Sequence, residues 1–214
     1  MTVIADRVAS VRARIAAAAE RAGRDPGEVR LVAATKTVEV EGIAAALDAG
    51  VDDLGENRAQ DLVAKAPALA DRRPRWHFLG PLQRNKVRRL VPWVDWWQTV
   101  DRVELGDEIA RRAQGARVLV EVNLGGEPQK AGVAPADTER LAAELTTRGL
   151  DVAGLMTVPP HDDEPRRWFA SLRALGHDLG LRELSMGMSE DFEVAVEEGA
   201  TIVRVGRAIF GART

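Results

Sequence analysis

Apolar positions follow two different periods along this chain. In residues 3–23, apolar side chains recur at helical spacing between arginines, and Gly23 ends the pattern, so a helix is predicted there. Eight short apolar runs typical of buried strands follow, at Arg30–Thr35, Val51–Gly55, Arg75–Gly80, Val94–Thr99, Arg117–Asn123, Asp151–Thr157, Glu183–Gly187 and Thr201–Gly206. Between them, amphipathic patterns predict helices over residues 39–49, 57–66, 83–90, 102–113, 136–148, 163–179 and 190–198.

Strands that alternate with helices are typical of a parallel sheet made of βα units. Eight such units predict an α/β fold, a single (β/α)8 barrel of the TIM type with an extra N-terminal helix, residues 1–23, packed on it. The chain of 214 residues is short for this architecture, whose usual size is about 250 residues, so its loops must be short. A doubly wound open sheet is the alternative. We expect residues 1–214 to form one domain.

The composition argues against several classes of function. The net charge is only −3 with 29% charged residues, which indicates neither a nucleic-acid partner nor an anionic membrane surface. The chain has no cysteine, and its three histidines (77, 161 and 177) are spaced unhelpfully for a transition metal, so we expect no metal site. Because no signal-peptide pattern and no bilayer-spanning apolar run is found, a cytoplasmic location is expected.

One lysine stands at the end of the first predicted strand. In LVAATKTV, the residues Val32, Ala34 and Lys36 alternate and share one face. If that face points into the barrel, Lys36 projects from the carboxyl rim, where the catalytic groups of such barrels lie. Desolvation at such a rim lowers the pKa of a lysine and frees its amine to attack an aldehyde. The alternative is a lysine that extends from the strand end into water.

A second charged side chain lies inside an apolar run. In TIVRVG, the residues Ile202, Arg204 and Gly206 share one face, and both faces of a parallel strand are normally buried. A buried guanidinium needs a fixed partner to offset its desolvation. That partner is either a structural carboxylate or, at the mouth of a barrel, the ring nitrogen of a cofactor.

Two glycine-containing turns, Gly187–Ser189 and Gly206–Ala208, follow the last two predicted strands. Each glycine lets the backbone approach a ligand closely, and each turn opens a helix whose N-terminus favours anions. Phosphates in these barrels typically bind between the loops after strands seven and eight. Ser189 has a second explanation as the N-cap of a helix that begins near Glu190.

A reactive amine early in the chain and a phosphate site late in it indicate an aldehyde phosphate held as a Schiff base on Lys36. The cofactor with that chemistry is pyridoxal 5'-phosphate. His77, near the end of the third strand, either lines the mouth or is a satisfied, packed histidine, and Asn57 has a helix cap as its default explanation. Trp96 and Trp97 must face opposite sides of their strand, so packing explains them better than an aromatic ligand platform.

Six segments, in this order, resemble the YggS/PROSC family of pyridoxal phosphate homeostasis proteins: ATKTV, GENRAQD, WHFLGPLQRNK, VNLGGEPQKAGV, GLMTVPP and SMGMSEDFEVAVEEGATIVRVGRAIFG. The match runs from about residue 30 to Arg213. The resemblance implies a barrel related to the N-terminal domain of alanine racemase, with pyridoxal phosphate on Lys36. It further implies a pocket in which Arg204 contacts the ring nitrogen, Ser189, Gly206 and the backbone of Arg207 contact the phosphate, and Asn57, His77, Met156 and Met188 lie nearby. At Arg207 many family members have a hydroxyl residue instead.

Two functions of different classes remain, an amino-acid racemase or related enzyme with weak activity and a carrier of the cofactor. A racemase of this barrel type needs a second acid or base, in alanine racemase a tyrosine from a second domain, and this chain has no tyrosine. An arginine on the ring nitrogen also weakens the electron sink that carbanion chemistry uses. We therefore expect a protein of intracellular vitamin B6 homeostasis or cofactor delivery, a monomer or weak homodimer with apo pyridoxal-phosphate enzymes as recipients.

Overall fold

The computed structural model describes residues 3–160 and 163–211. Within them a closed barrel forms, in which each strand is parallel to its neighbours and the strands follow one another in chain order. The strands are β1 Arg30–Ala34, β2 Asp53–Glu56, β3 Arg75–Phe78, β4 Val94–Val100, β5 Arg117–Glu121, β6 Asp151–Met156, β7 Glu183–Ser185 and β8 Ile202–Val205. The barrel closes where β8 pairs with β1, with Arg204 beside Val32. The predicted (β/α)8 barrel is confirmed, and the open-sheet alternative is wrong.

Helices surround the barrel. They are α1 Val3–Arg21, α2 Val40–Asp48, α3 Ala59–Lys65, α4 Arg84–Leu90, α5 Val103–Arg112, α6 Thr138–Thr147, α7 Pro165–Asp178, α8 Phe192–Glu197 and α9 Arg207–Phe210, with 3-10 turns at Pro26–Glu28, Ala66–Arg72 and Pro135–Asp137. The predicted helices are present, and the four-residue α9 is an addition. Helix α8 begins two residues later than predicted because the Asp191 side chain accepts from the Met188 amide and closes a turn ahead of it.

Two apolar layers hold the structure together. A small cluster fills the barrel itself, formed by Val32, Trp96, Leu119, Met156 and Ile202. A much larger cluster lies between the outer face of the strands and the helices. Trp96 belongs to the inner cluster and Trp97 to the outer one, which confirms that the two rings face opposite sides of β4.

The N-terminal helix α1 is amphipathic, as its sequence predicts. Val8, Val11 and Ile15 are buried on one face, and the helix packs against α2, α8 and α9. Residues 1 and 2 of the predicted helix lie outside the described part of the chain, as do His161 and the last two residues of the family match, 212 and 213. Among the helices that the structure describes, none combines the length and apolar character that a membrane span requires.

Candidate functional site

Lys36 lies in the turn that follows β1, at the carboxyl rim of the barrel, and it is exposed. Val32, four residues earlier on the same face, belongs to the inner cluster, so this face of β1 points into the barrel as expected. The turn is closed by a hydrogen bond of 3.0 Å from the Val38 amide to the Thr35 carbonyl. Thr37 has a φ of +64°, a left-handed conformation that is strained for a β-branched residue.

A buried carboxylate fastens this turn to the neighbouring strand. Glu56, the last residue of β2, is fully buried and accepts from the Asn57 amide at 2.8 Å. Its other oxygen lies 3.0 Å from the Thr35 hydroxyl and 2.7 Å from the Lys65 ammonium. Sequence reasoning missed Glu56 and Lys65 as site residues. A carboxylate that ends a buried parallel strand was the signal for Glu56, because such a group needs a partner.

Arg204 is buried inside the barrel with neutral partners. Its two terminal nitrogens donate to the Ser185 hydroxyl at 2.6 Å and to the Thr157 carbonyl at 2.9 Å. Burial lowers the pKa of Arg204 to about 10, an effect that the more distant charges of Asp191 and Glu121 only partly offset. Over residues 3–160 and 163–211 no carboxylate forms an ion pair with this guanidinium. The alternative that a structural carboxylate is the partner of Arg204 is therefore wrong for the described residues.

His77 is fully buried, at the centre of a chain of hydrogen bonds that crosses the barrel. One ring nitrogen lies 2.9 Å from Asp53, and the other lies 2.6 Å from the Gln98 amide. Gln98 then accepts from the Ser185 hydroxyl, which links His77 to Arg204. Burial lowers the pKa of His77, so the ring is neutral despite its contact with Asp53. This is the packed-histidine alternative, and both ring nitrogens are occupied by protein groups.

The two predicted phosphate turns meet at the rim. The Ser189 hydroxyl accepts from the amides of Gly206 at 3.2 Å and Ala208 at 3.3 Å. The N-cap position of α8 is Asp191, so the explanation of Ser189 as an N-cap is wrong. A Cβ at Gly206 would lie 3.2 Å from the Ala34 carbonyl, which places this turn directly against the end of β1. The turns therefore adjoin the strand that leads to Lys36.

Gly187 has a different role in the first turn. Its φ is +92°, and a Cβ there would lie 2.5 Å from the Ala195 side chain in α8. The glycine is therefore needed for the turn and for the packing of α8. Met188, which follows it, is 39% exposed at the rim.

The remaining predicted pocket residues lie in different surroundings. Arg207 is exposed, and its side chain forms an ion pair with Glu190 at 2.6 Å, which joins the two turns. Met156 is buried in the inner cluster. Asn57 is partly exposed after β2, and the N-cap position of α3 is Arg58, so the helix-cap explanation of Asn57 is wrong.

Glu121 is a charged group at this rim that sequence reasoning missed. It is the last residue of β5 and shares the inward face with Leu119. Its Oε2 is buried and has no hydrogen-bond partner among the described residues. Burial raises the pKa of Glu121 to about 7, and Asp101 adds to the rise while Arg204 opposes it. A carboxylate at the last inward position of an apolar strand was the available signal.

The arrangement fits an anionic ligand that also has an electrophilic carbon. Two backbone amides converge on one hydroxyl oxygen, and an anionic oxygen can accept from the same donors. A buried guanidinium with neutral partners can donate to one more acceptor atom, and a lysine stands at the same rim. In the described part of the chain no group of three or more His, Asp or Glu side chains is arranged to hold a metal ion.

Comparison with known proteins places this barrel in a defined class. The family model described as "Alanine racemase, N-terminal domain" matches residues 7–214. A pyridoxal phosphate homeostasis protein from Aquifex aeolicus is 44% identical over an alignment 222 positions long, which covers 97% of each chain. One from Escherichia coli is 39% identical over an alignment 229 positions long, which covers 100% of this chain and 98% of the relative. The chain belongs to the family of pyridoxal phosphate homeostasis proteins, and the resemblance found in its motifs is confirmed.

Solved structures agree with this assignment. PipY from Synechococcus elongatus, in a structure with PLP bound, is 35% identical and superposes with a TM-score of 0.86 over 97% of this chain and 100% of that one. A lysine decarboxylase from Selenomonas ruminantium, in complex with PLP and cadaverine, is only 14% identical with a TM-score of 0.72. The second likeness is one of fold alone.

Proposed function

We propose that this protein binds pyridoxal 5'-phosphate at the carboxyl rim of the barrel and holds it through a Schiff base to Lys36. In this role it serves intracellular vitamin B6 homeostasis or delivers the cofactor to apo-enzymes. Bound there, the cofactor supplies an aldehyde carbon that condenses with a primary amine and releases one water. The names of the relatives and the PLP in the PipY structure support this proposal.

The meeting of the two phosphate turns with the end of β1 is the observation on which the proposal rests. The amides of Gly206 and Ala208 lie 3.2 and 3.3 Å from the Ser189 hydroxyl, and Gly206 lies against Ala34. We assign the phosphate to these donors and to the backbone of Arg207. Arg204, with two neutral partners, is assigned to the ring nitrogen. Asn57, Met156 and Met188 are the proposed neighbours of the pocket, whereas His77 acts on it only through Gln98 and Ser185.

Proton transfer argues for a carrier rather than a racemase. Racemisation needs an acid and a base on opposite faces of the substrate, and general acid–base assistance typically contributes about 100- to 10,000-fold. The chain has no tyrosine, and the ring nitrogens of His77 are held by Asp53 and Gln98. A guanidinium beside the ring nitrogen leaves the pyridine unprotonated. These features support holding and release of the cofactor, with at most trace turnover.

The covalent link is tested by absorbance spectra with and without added pyridoxal phosphate, followed by borohydride reduction and peptide mapping. We expect the pyridoxyl label on Lys36. Lys36→Ala should abolish the link and leave a weaker binding that depends on the phosphate turns. The matched control is Lys86→Ala, which changes a lysine on α4 that the proposal leaves unused. Labelling mainly at Lys65, Lys86 or Lys130 would contradict the assignment.

The carrier role is tested in two assays run side by side. Amino acids are incubated with the loaded protein and analysed by chiral chromatography, and the loaded protein is mixed with an apo-transaminase whose recovery of activity is followed. We expect recovery of the transaminase and only trace racemisation. Turnover at ordinary enzymatic rates, on the order of 1–1,000 per second, would favour the racemase alternative.

A further inference from the structure

Three segments of the rim are fastened to a single buried carboxylate. The Glu56 carboxylate accepts hydrogen bonds from three donors: the Asn57 amide in the loop after β2, the Thr35 hydroxyl in the turn after β1, and the Lys65 ammonium at the end of α3. Lys65 also donates to the Thr35 carbonyl at 2.9 Å, so Thr35 is held at both its hydroxyl and its carbonyl. The next residue along the chain is Lys36.

The ion pair is protected from solvent and internally balanced. The Glu56 side chain is 0% exposed and that of Lys65 is 14% exposed. A buried carboxylate of this kind is stable only when its charge is paired and its oxygens are satisfied, and here both oxygens have donors. The directions of all three donors are therefore tightly constrained. Such a pair adds geometric precision more readily than it adds stability.

The turn itself requires that precision. Thr37 holds a left-handed φ of +64°, which a β-branched residue adopts only when its surroundings dictate it. Other hydrogen bonds also restrain the turn. Among them are the bond from the Val38 amide to the Thr35 carbonyl at 3.0 Å and those from the Thr35 amide and hydroxyl to the Gly55 carbonyl, at 2.8 and 3.0 Å. Thr35 is the point from which this strained turn departs. Its attachment to Glu56 sets the direction of the chain at Lys36.

We propose that Glu56, acting with Thr35 and Lys65, is a positioning group that orients Lys36 toward the ligand at the barrel mouth. The inference rests on the proposed function, because it names what places the amine that forms the covalent link. Formation of that link joins the lysine nitrogen to the aldehyde carbon and expels one water. Glu56 takes no part in these bonds and acts only through the turn.

The test uses Thr35→Val, which removes one hydroxyl and leaves the Glu56–Lys65 pair intact. Changing Glu56 itself would leave Lys65 buried without its partner and risks unfolding the protein. Thr35→Ser restores the hydroxyl. Thr99→Val is the matched control, because Thr99 is a buried threonine at the end of β4 whose hydroxyl donates to the Gly80 carbonyl at 2.8 Å, away from Lys36.

Two measurements are made on each variant. Hydrogen exchange of the Val38 amide is followed by NMR in the protein without cofactor. The rate of covalent linkage is followed by borohydride quenching and mass spectrometry. For Thr35→Val we expect Val38 exchange about tenfold faster, since one hydrogen bond to a charged group is lost. We expect linkage about tenfold slower or more, since small misplacements of a reacting group cost that much. Thr35→Ser should stay near the parent, and Thr99→Val should change neither quantity.

Non-covalent affinity separates positioning from general damage. In a Lys36→Ala background, Thr35→Val should leave the affinity for pyridoxal phosphate within about twofold, because the lost contact acts through the amine. Equal weakening in both backgrounds, or equal effects of Thr35→Val and Thr99→Val, would overturn the inference. If the parent protein forms no link at Lys36, the proposed function fails. Hydrogen exchange of the Val38 amide still tests the positioning role in that case. If the exchange rate in Thr35→Val equals that of the parent, Glu56 does not position the turn through Thr35.

Discussion

Two buried charged side chains, Asp53 at the amino end of the barrel and Arg204 near its carboxyl end, have opposite surroundings. At the amino end Asp53 accepts from Arg75 at 2.7 and 2.9 Å and contacts His77 at 2.9 Å, with Arg30 at 3.8 Å. At the carboxyl end Arg204 donates to a serine hydroxyl and a backbone carbonyl, both neutral. The two groups belong to one chain of hydrogen bonds, through His77, Gln98 and Ser185.

The pKa values express the same difference. Burial alone would raise the pKa of Asp53, but the hydrogen bonds from Arg75 and His77 overcome it and lower that pKa to about 2. Burial lowers the pKa of Arg204 to about 10, and within residues 3–160 and 163–211 no carboxylate is bonded to Arg204 that would restore it. Asp53 is paired with charge, as Glu56 is with Lys65 at the rim. Arg204 is left with neutral partners, where a ligand is expected to complete its surroundings.

The largest expected effect on the free energy of unfolding is that of replacing Asp53. Asp53→Asn leaves Arg75 and Arg30 without their common carboxylate, and loss of a partner in a buried pair costs about 3–5 kcal/mol. Because Arg75 is half exposed, we expect the lower end of that range, as measured by urea unfolding at pH 7. The lowered pKa of Asp53 means that its contribution is present above pH 3.8 and is lost as the pH falls through about 2, so the parent and the variant should converge in acid.

Asp52→Asn is the control for this experiment. Asp52 is the exposed neighbour of Asp53 and lies 3.7 Å from the same Arg75. Its loss should cost less than about 1 kcal/mol, as for other surface ion pairs. If Asp53→Asn and Asp52→Asn unfold at the same urea concentration, the buried carboxylate of Asp53 stabilises the protein no more than an exposed one, and the contrast with Arg204 is wrong.

Glu121 should have the next largest effect, with the opposite pH dependence. Its folded-state pKa of about 7 lies above the ordinary 4.5, so the folded protein binds the proton more tightly and stability falls as the pH rises from 4.5 to 7. The full loss is about 3 kcal/mol. Glu121→Gln should therefore be more stable than the parent at pH 8 by about that amount and similar to it near pH 4.5.

The exposed Glu104, in the first turn of α5, supplies the control for Glu121. Glu104→Gln changes an exposed side chain, so it should leave the free energy of unfolding at pH 8 within about 0.5 kcal/mol of the parent. Chemical denaturation of all three proteins at several pH values between 4.5 and 8 makes the comparison. A parallel pH dependence in the parent and in Glu121→Gln would mean that Glu121 is ionised and solvated at the rim.

Arg204→Leu should cost less stability than Asp53→Asn, although both substitutions remove a buried charge. The substitution removes two hydrogen bonds but also removes the desolvation of a guanidinium, so we expect a net change within about 1.5 kcal/mol. Retention of pyridoxal phosphate should fall about 10- to 100-fold, the usual loss for a hydrogen bond to a charged group. Thermal unfolding and equilibrium dialysis measure the two effects. A variant that melts far earlier yet retains the cofactor would make Arg204 a structural residue.

The smallest effect is expected at Arg207, the neighbouring arginine outside the barrel. Arg207→Ala breaks an exposed ion pair with Glu190, which is worth about 0.5 kcal/mol or less. Glu190→Ala should behave in the same way. Cofactor affinity should stay within about twofold in both variants, because the Arg207 side chain points to Glu190. A tenfold loss confined to Arg207→Ala would assign this side chain to the phosphate.

The barrel could be predicted from the sequence because its evidence is local. Each strand and helix has its own period, and eight alternating pairs leave few ways to be arranged. The positions of Lys36, Ser189 and Gly206 at the rim could be predicted for the same reason, since each lies at or just after the end of a predicted strand. Their rim positions follow from parallel strands, whose carboxyl ends all lie at one edge of the barrel.

The partners of these residues could not be predicted because they depend on register. Arg204 meets Ser185 and Thr157 only after β6, β7 and β8 have been aligned, and β5 and β6 contain an irregularity between Val118 and Leu119. Lys65 reaches Thr35 across 30 positions of sequence. For Asn57 the local cap rule was wrong, because the helix begins one residue later than the rule requires.

Closure of β8 onto β1 also has a consequence for biosynthesis. Lys36 leaves the ribosome early, whereas the turns at Ser189 and Gly206 leave it near the end of translation, and the two regions become neighbours only when β8 pairs with β1. An unfinished chain therefore has the proposed amine without the proposed phosphate donors. Under the proposed function, newly made protein should accept cofactor only after the last strand is in place and the barrel is complete.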